Sequence, residues 1–120
     1  MTFDVEIVLR ERNFAVTEQL HHGVEADAWT DQDVETVLKG ILLAIDRVKH
    51  PDPPGRPKVD RFVALRGFSW IVQPTDGGVV IAIEIPTGAA VAGPFRIESG
   101  RLDAIISRVL ASARPKAVVH

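Results

Sequence analysis

Residues Phe3 to Leu9 alternate strictly, with Phe3, Val5, Ile7 and Leu9 on one side and Asp4 and Glu6 on the other. That period of two predicts a half-buried strand. RERN (Arg10 to Asn13) reads as a turn, and Phe14, Val16 and Leu20 then alternate with Ala15, Thr17 and Gln19. The pair predicts an N-terminal hairpin, followed by irregular chain over HHGVEADAW. From Thr30 to Lys49 the period changes. Val34, Val37, Leu38, Ile41, Ile45 and Val48 recur at three- and four-residue steps and predict a helix with one apolar stripe. Thr30 with Asp33 forms a capping-box pattern, while Arg47 and Lys49 suit the negative end of the helix dipole. Leu43 lies off the stripe, beside Gly40.

The prolines of HPDPPGRPK (His50 to Lys58) end that helix and predict a stiff connection, because each removes a backbone donor. Asp60 to Ile85 reads as β-structure. Centring a two-residue type I′ turn on Asp76-Gly77 sets a register in which Trp70 faces Ile83, Val72 faces Ile81 and Phe68 faces Ile85. The other face then carries Ser69 with Glu84, Ile71 with Ala82 and Gln73 with Val80. Upstream, Val63 and Leu65 reach the core side only if a bulge or a tight turn intervenes at Arg66-Gly67. A last helix is predicted from Ser99, as N-cap, to Arg114. It carries Leu102, Ile105, Ile106, Val109, Leu110 and Ala113 on one stripe, and Pro115 stops it ahead of the tail KAVVH.

The order ββαββ(β)α, with one apolar stripe per helix, predicts a single α+β domain over residues 1–120. It is a two-layer sandwich with both helices on one face of a mostly antiparallel sheet. Between Ile85 and Phe95 the stretch IPTGAAVAGPF carries no charge. Three readings fit it: a flap over a cavity, a surface packed on a partner, or a crossover from strand to helix.

Composition narrows the chemistry. The chain has 120 residues, 46% hydrophobic and 25% charged, with a formal charge of -2 from 14 basic and 16 acidic residues. This balance gives no electrostatic reason to expect nucleic acid or an anionic membrane as main partner. The absence of cysteine removes disulfides, thiol nucleophiles and cysteine-ligated metals. The acids Asp4 and Glu6 break any signal-peptide pattern, so a cytoplasmic location is expected. His21-His22, near Glu25 and Asp27, is the one histidine cluster, and adjacent residues in extended chain point apart, so the pair reads as exposed loop histidines. Ser69, Ser99, Ser107 and Ser112 belong to no hydrolase pattern, and no P-loop or dinucleotide fingerprint occurs. No catalytic set, metal or cofactor is therefore expected.

The phrase RNFAVTEQL (Arg12 to Leu20), followed by helix, strands and a closing helix, resembles the ribosome hibernation-promoting factors. That resemblance implies a basic surface for ribosomal RNA, and the net acidic charge departs from it. The leading expectation is instead an interaction or accessory domain that forms a homodimer or meets another protein. Its interface candidates are Ile71, Val80 and Ala82 on the second sheet face, Leu43 on the first helix, and Ala90, Val91 and Ala92 in the uncharged stretch. The alternative is a small-molecule binder or enzyme using Ser69, Glu84 and Arg66, with residues 86–95 as its lid. A ribosome- or RNA-associated factor is the third reading.

Overall fold

The computed structural model describes residues 1–55 and 61–113. Strands β1 (Thr2–Leu9) and β2 (Ala15–His21) form the N-terminal hairpin, and a single 3-10 turn (Ala26–Ala28) leads into α1 (Asp31–Lys49). Strands β3 (Ser69–Thr75), β4 (Gly78–Ile85) and β5 (Gly88–Phe95) make a meander, and α2 (Ser99–Ala113) closes the order. All five strands join one antiparallel sheet in the order β2-β1-β5-β4-β3. The fold is α+β, with the predicted element order.

Both helices cover the same sheet face. Phe3, Val5, Ile7 and Leu9 are buried in strict alternation along β1, and the α1 stripe from Val34 to Val48 is buried opposite them. A fully buried aliphatic side chain contributes roughly 1.5–3 kcal/mol, so these two rows are the main cohesive contact of the N-terminal half. The α1 capping box is present: the Asp33 amide donates to the Thr30 hydroxyl at 3.3 Å, and the Thr30 amide donates to the Asp33 carboxylate at 2.9 Å. At α2 the expected cap is displaced by one residue. Glu98, not Ser99, accepts from the Gly100 and Arg101 amides at 3.0 and 2.6 Å, its carboxylate meeting the positive end of the dipole. Leu102, Ile105, Ile106 and Val109 are buried as the stripe predicts, whereas Ala113 is exposed. Arg114, Pro115 and the KAVVH tail lie outside the described residues, as do Arg56 to Asp60.

The β3–β4 register is the predicted one, with Trp70 opposite Ile83, Ile71 opposite Ala82, Val72 opposite Ile81 and Ser69 opposite Glu84. Its turn is not type I′, which needs positive φ at both central residues. Neither Asp76 nor Gly77 has it; the positive φ falls one residue later, at Gly78 (138°). Upstream, Arg61 to Phe68 form no strand. The chain bends at Gly67 (φ 77°), a turn rather than a bulge, and that bend lets Leu65 reach the core. Phe14, expected on the core side of the hairpin, is 61% exposed at the β1–β2 turn.

The main correction concerns the uncharged stretch. Residues 88–95 are neither lid nor crossover: they are β5, the central strand, hydrogen-bonded to β1 on one side and β4 on the other. Ala90 and Ala92 point under the helices and are buried at 2% and 0% exposure, so they are withdrawn as interface candidates. Their small side chains let α1 settle onto the middle of the sheet. A bulge at Gly93-Pro94 then shifts the register from Ile81–Ala92 to Val79–Phe95 and returns Phe95 to the core face. There Phe95 packs at 5.0 Å from Phe3 and 4.9 Å from Trp29, measured between ring centroids.

Candidate functional site

The two ends of the sandwich differ in chemistry. At one end, the β2–α1 loop folds Trp29 into the core, with its indole N–H donated to the Val24 carbonyl at 2.9 Å. His22 is not the exposed loop histidine expected. Its Nε2 lies 2.9 Å from Asp33 Oδ1 and its ring meets Trp29 edge-on. Three bonds hold the Asp33 carboxyl below its ordinary value of 3.8: the Thr30 amide first, then His22, then the Thr30 hydroxyl. Asp31 is lowered likewise by its hydrogen bond to Arg108, which ties α1 to α2. Among the described residues no group of three or more His, Asp or Glu side chains is placed to hold a metal ion.

The opposite end gathers the β1–β2 turn, the β4–β5 turn, the last turn of α1 and the bend at Gly67. The Arg10 amide donates to the Thr87 carbonyl at 3.0 Å, and the Arg12 guanidinium donates to the Val48 carbonyl at 3.0 Å, so the two turns and the helix end are fixed together. Between them lies a cleft of 190 Å³ lined by Leu9, Arg10, Glu11, Arg12, Lys49, Pro86 and Thr87. Arg61 fastens the neighbouring segment to α1 through Asp46 (2.7 Å) and also pairs with Asp52 just beyond the helix (2.8 Å), and hydrogen bonds to these two carboxylates raise its pKa.

The sequence-predicted ligand residues are only partly brought together. Ser69 and Glu84 are cross-strand neighbours and share an open depression of 420 Å³ with Arg10 and Phe68. Arg66 instead lines a separate depression, beside Asp46, Lys49 and Leu42. The arginine standing with Ser69 and Glu84 is Arg10. Arg10, Arg12 and Lys49 were not expected as a group. They come from two turns of the chain nearly forty residues apart, and no local spacing marks their convergence.

The interface candidates divide by face. Ile71, Ala82 and Val91 form one row straight across β3, β4 and β5 on the sheet face that the helices leave bare, and Val80 lies two residues from Ala82 on that face. Ile71 is 57% and Val91 44% exposed. Leu43, half-buried on α1, belongs to the helical layer and not to this surface. Val8, 45% exposed and opposite Ala89, extends the bare apolar row group and was not anticipated, although its outward phase beside Leu9 was readable. Between β3, β4 and β5 the same face holds a depression of 190 Å³ over Ala82 and Ala89, bordered by Ile71, Glu84 and Val91. Asp4, Glu6 and Glu84 are the charged strand residues on this face, with no Lys or Arg among them.

Among the described residues the α+β sandwich thus has one covered and one bare sheet face, and a basic cleft at one end. Compared with protein-family models, with curated proteins and with solved structures, it matches none.

Proposed function

We propose that the protein is an interaction domain that self-associates through the bare face of its sheet. The observation that carries this reading is a knob beside a hole. Ile71 projects from β3 next to the depression floored by Ala82 and Ala89. A surface that holds both a branched aliphatic side chain and a space for one can meet a second copy of itself about a two-fold axis. Small residues at Ala82 and Ala89 let two sheets approach to the usual separation of about 10 Å. Exposed apolar groups at Ile71, Val91 and Val8, with half-buried Val80, supply area that gains from leaving water. No helix of the described residues is long and apolar enough to cross a membrane.

Light scattering coupled to gel filtration tests the reading. The expected species has about twice the 13.1 kDa chain mass. Ile71→Glu places a charge on the contact while leaving the core untouched, so it should give a folded monomer, its melting temperature lowered only by the loss of association. A monomer for the unaltered chain at high concentration, or a dimer indifferent to Ile71→Glu, would overturn it.

A further inference from the structure

We infer that the cleft between the β1–β2 turn, the β4–β5 turn and the end of α1 binds a small phosphate monoester. Among the described residues Arg10, Arg12 and Lys49 line this cleft against the single carboxylate of Glu11, a local excess of two positive charges in a chain whose net charge is -2. A phosphate monoester carries roughly -2 near neutral pH, which matches that excess. Among the described residues neither Arg10 nor Lys49 makes an ion pair, in contrast to Arg47, Arg61 and Arg108, each of which is held by an aspartate or glutamate. Arg12 gives one N–H to the Val48 carbonyl, which sets the position of its guanidinium and leaves further donors of the fork unspent.

The rest of the cleft suits the ester rather than free phosphate alone. Leu9 and Pro86 give it apolar wall, and the Thr87 side chain joins the lining. At 190 Å³ it has room for the phosphate and a few carbons, below the usual size of sites for larger ligands. Arg10 and Pro86 also border the 420 Å³ depression beside Ser69 and Glu84, which gives the organic part a way out and polar groups to meet. The walls come from three parts of the chain already fastened by the Arg10–Thr87 and Arg12–Val48 bonds, so little ordering is required on binding. The phosphate-binding cleft itself lies at the end of the sandwich, and Ile71 is not among its lining residues.

Glycerol 3-phosphate is the probe, added to the nitrogen-15-labelled full chain, with glycerol and sodium chloride at matched ionic strength as controls. Saturable shifts of the Arg10, Arg12, Lys49 and Thr87 amide signals are expected, absent with either control. The double variant Arg10→Gln, Lys49→Gln should bind at least tenfold more weakly with an unchanged melting temperature, since both side chains are exposed; each single variant should show an intermediate loss. Ile71→Glu should bind as the unaltered chain does, which separates this result from the fate of the dimer. Shifts that rise without saturating, that sodium chloride reproduces, or that survive in the double variant would overturn the assignment. So would a short oligouridylate that shifts the same signals where glycerol 3-phosphate does not, because the surface would then serve RNA.

Discussion

Gly78 rather than Gly77 is the residue on which the β3–β4 hairpin turns. Its φ of 138° lies where side chains are rarely found, and a Cβ there would run into the Phe95 carbonyl oxygen of the adjacent strand. Gly77 has no such φ, and its added Cβ would meet only the Pro94 ring at 3.2 Å. Gly78→Ala should therefore cost about 2 kcal/mol or more in denaturant unfolding, and Gly77→Ala less than about 1 kcal/mol. Equal costs would place the strain elsewhere. The α1 cap gives a second prediction at this scale. Thr30→Ala removes the hydroxyl that accepts from the Asp33 amide and should cost about 1 kcal/mol. The carboxyls of Asp33 and Asp31 sit below 3.8 in the folded chain, so they bind protons more readily when unfolded. Their stabilisation is present above pH 3.8 and is lost as the pH falls through the lower folded values. A chain carrying Asp31→Asn and Asp33→Asn should lose less melting temperature on acidification below pH 3.8 than the unaltered chain. An identical acid slope would assign that sensitivity to other groups.

Among the elements, β5 teaches most about what a sequence conceals. Strands β1 and β4 and both helices announce themselves because their apolar residues are large and periodic, as in Val34 to Val48 or Phe3 to Leu9. In β5 the same information is carried by Ala90 and Ala92, whose bulk and β-propensity are too low to mark a period. The bulge at Gly93-Pro94 then breaks the phase before Phe95 could restore it. What remained legible was the missing charge, and its cause is burial between two neighbouring strands beneath α1. The bare face was likewise half legible: the β3–β4 pairing put Ile71 with Ala82, but Val91 joins that row only once β5 pairs with β4. The basic cleft was not legible at all, since its members meet through tertiary contacts alone. The placement of β5 has a direct consequence. Ala92→Asp puts a carboxylate at a position of 0% exposure with no cation beside it in β5, which should cost roughly 3 kcal/mol or more and leave little folded chain. Val91→Asp, one residue away on the exposed face and opposite Glu6, should lower the melting temperature far less and leave the chain folded. Circular dichroism melts of the two variants check this, and comparable melting would contradict the strand's orientation.

For the whole molecule, the distribution of charge decides how two copies can meet. Among the described residues the bare face carries Asp4, Glu6 and Glu84 without a Lys or Arg in its strands; Arg10 borders it beside Glu84, at the end where Arg12 and Lys49 also gather. A two-fold contact of bare face on bare face brings like charges into the same region, with apolar burial as the favourable contribution. A head-to-tail contact would instead set the acidic face of one copy against the basic end of the next, and would not close into a dimer. Salt separates the two arrangements. The screening length falls from about 10 Å at 0.1 M to about 3 Å at 1 M, so added salt weakens whichever charge interaction dominates. In the two-fold dimer the interaction being screened is repulsion, and the dissociation constant should fall a few-fold between those concentrations. Glu84→Gln should tighten the dimer at low salt and reduce that salt dependence, because Glu84 borders the depression that Ile71 would fill. Sedimentation equilibrium at the two salt concentrations reads both effects. A dimer that loosens as salt rises would point to the acidic face against the basic end, and would replace the symmetric contact with a heterologous one.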